Sequence, residues 1–185
     1  MDVTRMLEAD HRMVEGLFAQ IEETQGDERA ALVDELAEAL KAHMQLEESV
    51  VYPAMAPITG EDKVEAGVTE HELAKKALAD LVAQTPDGPG FGAALDAVKA
   101  GIEHHVKEEE EEIFPQLRRD GMDVIEQMAE PVQSTRKQLG MKVNTVALSV
   151  GATKEQMVEE AQGLDIDGAA SMNKDQLAEA LAAVG

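Results

Sequence analysis

Apolar residues recur at helical spacing along most of the chain, and the pattern breaks wherever turn-forming residues cluster. Gln25-Gly26-Asp27, Pro57-Ile58-Thr59-Gly60 and Pro86-Asp87-Gly88-Pro89-Gly90 divide the first 120 residues into four long segments. In the first, Leu7, His11, Val14, Phe18 and Ile21 share a stripe. The second has Leu32, Leu36, Ala39, His43, Leu46 and Val50; the third has Val64, Gly67, His71, Ala74, Leu78 and Leu81; the fourth has Leu95, Val98, Ile102 and His105. Short connections make neighbouring helices antiparallel, so the pattern predicts an all-α, up-down-up-down four-helix bundle.

Past Pro115 the fourth helix is expected to end near Gly121. An additional helix follows from Asp123 to about Leu139, with Pro131 set to kink or split it. These segments make one unit of residues 1–139. Residues 140–152 lack a helical period and read as a linker, and residues 153–185 read as a small separate helical module. In that module Thr153-x-x-Gln156 and Asn173-x-x-Gln176 are capping boxes, each opening a helix. Between them, Gly163-Leu164-Asp165-Ile166-Asp167-Gly168 is expected to be extended.

Composition narrows the function classes. Aromatics are 2% of the chain and the net charge is −22, which sets the surface against nucleic-acid phosphates. There is no cysteine, so disulfides, thiolate zinc sites and cysteine-bound iron–sulfur clusters are excluded. The amino terminus shows no basic-then-apolar leader, and no run of about 18 apolar residues is present. A cytoplasmic location without membrane attachment is the expectation.

The chemistry lies in the histidines. His11, His43, His71 and His105 occupy core-seam positions where Leu or Val belongs, one on each segment; His104 lies about 100° off the seam. Residues 43–53 and 105–115 also repeat one phrase: His, Glu four residues later (Glu47, Glu109), a further Glu, and Pro at the tenth position (Pro53, Pro115). His and Glu at i and i+4 project from one helix face, about 6 Å apart at Cβ. Burying imidazoles and carboxylates together costs several kcal/mol per ion unless a cation sits among them. Nitrogen and oxygen donors without sulfur suit iron, manganese or zinc. The set exceeds what one tetrahedral zinc takes and divides over two octahedral metals, each Glu able to bridge. The ten methionines read as core filler. In the run Glu108–Glu112 only Glu109 has the phase to look inward; the rest is a solvated face, or an acidic approach guiding ferrous ions.

Asp-His on the first helix, His-x-x-x-Glu-Glu with Tyr-Pro on the second, Glu-His-Glu on the third and His-x-x-x-Glu with Phe-Pro on the fourth together resemble the hemerythrin-like (HHE) cation-binding domain, over residues 1 to about 120 or 139. The resemblance implies a non-haem centre of two iron ions, bridged by Glu47, Glu109 and an oxo or hydroxo group. His11, His43, His71 and His105 would be the terminal ligands. It also implies small-molecule partners: O2, peroxide or nitric oxide. Oxygen carriers of the family place a fifth His one turn after the third-helix His; here that residue is Lys75. Two histidines per iron leave open coordination on both, which favours peroxide- or nitric-oxide-consuming chemistry, of use in oxidative stress, over passive carriage. Tyr52, Glu70 and Glu72 are the candidates to fill an open position. A regulatory sensor of iron or oxygen, and an iron store or donor, are the competing readings.

The stretch 153–185 is similar to the helix–extension–helix of SAP-like modules, the amino-terminal segment of the transcription terminator Rho above all. Such modules often contact nucleic acid. With Lys154 and Lys174 against seven acids, a protein contact is the favoured role here, and nucleic acid the disfavoured one.

Overall fold

The structure is a computed structural model that describes residues 2–141 and 153–182. All regular elements among them are helical. Helix α1 (Val3–Glu23) starts on Asp2, whose carboxylate accepts from the Thr4 amide at 3.0 Å. Helix α2 (Gly26–Leu46) runs through a wider turn, Glu47–Val51, into α3 (Tyr52–Thr59). Helix α4 (Glu61–Val82) follows Gly60, whose φ of 96° only glycine adopts readily. Helix α5 (Phe91–Glu108) runs through a second wide turn, Glu109–Ile113, into α6 (Phe114–Asp120), and α7 spans Met122–Leu139.

The two wide turns are π-helical. The Tyr52 amide donates to the Glu47 carbonyl and the Phe114 amide to the Glu109 carbonyl, five residues back rather than four. Each turn starts on a seam glutamate and closes one residue before a proline. In a regular helix Pro53 and Pro115 would press on the carbonyls of Ser49 and Glu111, and the wider turn relieves that clash. The repeated His-to-Pro spacing therefore encodes a backbone irregularity beside each glutamate.

Helices α1 and α2 pack together, as do α4 and α5, and α2 packs on α4. One apolar cluster joins Phe18, Ile21, Leu36, Leu40, Leu78 and Val98; a second joins Leu7, Leu46, Met55, Phe114, Leu117 and Val132. The seam histidines and glutamates fall between the two. On α2 the buried stripe is turned slightly from expectation: Val33, Leu40 and Met44 carry the core, while Leu32 and Ala39 are half-buried. Helix α7 is unbroken, because Pro131 faces solvent, where water can take the carbonyl it frees. It buries Ile125, Met128 and Val132 against the second cluster.

The carboxy-terminal segment has α8 (Lys154–Gly163), a 3₁₀ turn (Ala169–Ser171) and α9 (Lys174–Ala182) around its own core of Met157, Ala161, Leu177 and Leu181. Both capping boxes form: Thr153 with Gln156, and Asn173 with Gln176. The link between the helices is a run of turns rather than an extended piece, with Asp165 at φ 56° and Gly168 at φ 75°. Of the expected linker, residues 142–152 lie outside the described residues.

Candidate metal centre

His11, His43, His71 and His105, with Glu47 and Glu109, are all buried, none more than 5% exposed. Glu47 directs one oxygen to each side: Oε1 is 3.1 Å from His43 Nε2, and Oε2 is 3.2 Å from His71 Nε2 and 3.8 Å from His105 Nε2. Glu109 does the same, with Oε2 3.4 Å from His11 Nε2 and Oε1 3.7 Å from His105 Nε2. Possible ligand atoms gather within 4.8 Å of one another in two groups, His11/His43/Glu47/Glu109 and Glu47/His71/His105.

Short as these distances are, both oxygens of Glu47 and of Glu109, and Nε2 of His11 and His43, lack a hydrogen bond in acceptable geometry. Buried acceptors left so are costly, and a shared cation satisfies them all. Without one, protons take its place. Burial opposes charge on His43, but Glu47 and Asp10 outweigh burial and push the imidazole up to about 10. Burial likewise opposes charge on His105, which Glu109, Glu47 and Glu70 nonetheless hold well above its usual range.

The outward nitrogens are held just as systematically. Nδ1 of His11 donates to Glu110 at 2.8 Å, that of His71 to Glu48 at 2.9 Å and that of His105 to Glu70 at 2.9 Å; His43 Nδ1 faces Asp10 at 3.5 Å. A carboxylate only accepts, so Nδ1 of His11, His71 and His105 carries a proton and a metal would be met by their Nε2 lone pairs, whereas His43 Nδ1 has no hydrogen bond in acceptable geometry. Every one of these acids is a chain neighbour of a seam residue and serves a histidine on another helix: Asp10 on α1 faces α2, Glu48 in the first wide turn faces α4, Glu70 on α4 faces α5, and Glu110 in the second wide turn faces α1. Behind each acid stands a positive or imidazole group: Arg136 on Asp10, Lys75 on Glu48, Arg12 on Glu110 and His104 near Glu70.

Two aromatic residues complete the repeat. Phe114 stacks on His11 with centroids 6.0 Å apart, and Tyr52 stacks on His71 at 5.4 Å. Tyr52 adds a hydroxyl that donates to His71 Nε2 at 3.1 Å, the inward nitrogen. Burial and the surrounding Glu47 and Glu109 drive its pKa far upward, so it remains a phenol.

The sequence profile of the Hemerythrin HHE cation binding domain matches residues 2–117, which include all six residues of the cluster. The chain belongs to that family. A crystal structure of a hemerythrin HHE cation-binding domain-containing protein from Mycobacterium kansasii, a homologue of Rv2633c, superposes with a TM-score of 0.62 at 25% identity, over 75% of this chain and 89% of that one. Rv2633c of Mycobacterium tuberculosis is 27% identical over 121 residues, 62% of this chain and 71% of its own. A DNA nickase from Nostoc is 22% identical over 153 residues, 82% of this chain but only 44% of that protein.

Within this HHE domain the remaining sequence candidates sort clearly. Glu70 directs Oε2 to the outward side of His105, and Glu72 pairs with Lys75 on the surface, so neither reaches inward. Tyr52 does. Lys75 holds Glu48 at 2.8 Å. The orienting role of Asp10, Glu48 and Glu110, and of Arg136 behind Asp10, is absent from the sequence reading. Their only sequence signal is adjacency of an acid to a seam residue.

Proposed function

We propose that the protein is a hemerythrin-like di-iron protein of up-down-up-down bundle topology that binds and reacts with O2, peroxide or nitric oxide. One iron would sit on His11 and His43, the other on His71 and His105, with Glu47 and Glu109 spanning both. The observation that carries this reading is the division of each carboxylate, one oxygen toward each histidine pair. The donor set of imidazoles and carboxylates fits iron. Two irons so held would supply redox equivalents and coordination positions for the small molecule.

The chain's own residues do the rest. Glu48, Glu70 and Glu110 hold three of the rings in one tautomer and orientation, and Asp10 stands 3.5 Å from Nδ1 of the fourth. Val14, Leu40, Met44, Ile102 and Val106 line a small cavity of about 10 Å³ against His11, His43 and His105, an apolar wall on that side of the centre. With a metal on His71 Nε2 that lone pair would be taken, and the Tyr52 hydroxyl, 3.1 Å away, would be left to donate its proton to a bound small molecule. Lys75 in place of a fifth imidazole favours reaction over reversible carriage. The module of residues 153–185 is read as a protein-contact unit. The nicking activity in the name of the Nostoc relative is not carried across, since a net charge of −22 opposes phosphate binding.

The test is metal analysis of protein expressed with iron available, with optical spectra before and after O2, peroxide and nitric oxide. About two irons per chain and a spectrum that changes with these molecules are expected. One zinc and no iron would overturn the reading.

A further inference from the structure

Three of the four acids that orient the histidines are backed by cations charged at any physiological pH: Arg136, Lys75 and Arg12. A divalent cation approaching along those directions meets a like charge. Glu70 differs. Its neighbours are His105, through Oε2 at 2.9 Å, and His104, whose Nε2 lies 3.4 Å from Glu70 Oε1. His104 Nε2 is also 3.6 Å from Glu108 Oε1, and the three residues offer ligand atoms within 4.8 Å of one another. Two carboxylates from different helices thus converge on one imidazole, at a face where His104 is largely exposed.

The internal repeat shows that this cluster is an addition. Counting back from the seam histidine and glutamate, His104 corresponds to Ala42 and Glu108 to Leu46, while Glu70 corresponds to Asp10. In the first half, α7 covers Asp10 and seals it with Arg136, which is 3% exposed. In the second half the equivalent acid stays half-buried, and two metal-ligating side chains stand outside it.

We propose that Glu70, His104 and Glu108 form an exposed divalent-cation site through which the metal reaches the buried centre. One nitrogen and two carboxylates suit Fe²⁺, Mn²⁺ or Zn²⁺. Three ligands at a solvated face hold an ion weakly, which fits transit rather than storage. Glu70 joins the two sites, one oxygen outward and one on His105. The acidic run Glu108–Glu112 raises the local concentration of dications.

The proposal rests on the buried centre proposed above, and the two fail differently. Metal-free full-length protein is mixed with Co²⁺ and the growth of its d–d absorption is followed. The protein is compared with His104→Ala/Glu108→Gln, and with Glu112→Gln, which removes the same single charge, together with a surface ion pair to Lys63, and none of the three ligands. Wild type and both variants should reach the same end point of about two ions per chain, as the two-metal reading requires. The double variant should approach it about ten-fold more slowly, the low end of electrostatic and focusing effects on uptake, with Glu112→Gln near wild type. Equal rates in all three, or equal slowing in both variants, would overturn the loading site while leaving the centre intact. No Co²⁺ bound by wild type would overturn both. If the double variant has a reduced end point, protein already filled with iron decides: Mn²⁺ resonance should show one further weak ion in wild type that the variant lacks, and its absence from wild type would overturn the site.

Discussion

The Tyr52 hydroxyl occupies the space a side chain on Gly67 would take: a Cβ there would lie 2.7 Å from the phenolic oxygen. Gly67 stands one turn before His71, as Leu7 stands one turn before His11. The glycine thus admits a hydroxyl to the second half of the centre. Gly67→Ala should destabilise the domain by about 1–3 kcal/mol through overpacking, read by thermal unfolding. Tyr52→Phe should keep fold and metal content but change the optical spectrum and the rate with peroxide. Superimposable spectra would place the hydroxyl outside the centre.

Glu47 faces both histidine pairs, whereas His43 faces one. Glu47→Ala should therefore cost the protein both metals, and His43→Ala should leave about one per chain, the share held by His71 and His105. His105→Ala should lose metal where His104→Ala retains it at equilibrium. Metal counts that fall equally in His104→Ala and His105→Ala would show the fourth helix to be misphased.

Arg136 donates from Nη2 to Asp10 at 2.8 Å, and both are buried. Arg136→Leu strands a carboxylate next to His43, at an expected cost of about 3–5 kcal/mol for a broken buried pair. Denaturant unfolding would measure it. The double variant Asp10→Asn/Arg136→Leu should recover part of the loss; no recovery would mean the pair is not the cause.

Glu160 on α8 is 3% exposed and accepts from Arg5 on α1 at 2.6 Å. Burial raises its pKa to about 7, aided by Asp2 and Glu159 against the pull of Arg5. The folded protein thus holds this proton more tightly than the unfolded chain. The group's contribution is full below about 4.5, the ordinary glutamate value, and is lost as pH rises through about 7. Amide exchange in α8, corrected for intrinsic rate, should quicken from acid to neutral pH, and Glu160→Gln should flatten that dependence. A flat wild-type profile would remove Glu160 as the cause.

Much of this was legible in sequence, because His11, His43, His71 and His105 occupy positions where only apolar residues normally pay no penalty. Four exceptions at matching phase make a strong signal. The wide turns at Glu47 and Glu109 were not legible, since a fifth-residue hydrogen bond leaves no mark on apolar spacing and shows only as a proline at a repeated distance. Arg136 was hidden for a different reason: its partner is 126 positions away, and nothing local distinguishes it from a surface arginine. The stripe on α2 was placed only in part, since α2 packs on α1, α4 and α7 and so buries Val33, Leu40 and Met44 beside the expected Leu36, His43 and Leu46.

The near-symmetry of Phe114 over His11 and Tyr52 over His71 has a directional result. Two halves built from one repeated phrase differ by a single oxygen atom at the aromatic position. The half around His71 carries a hydrogen-bond donor where the half around His11 presents only a ring face, so two sites built alike differ in where a proton can be held.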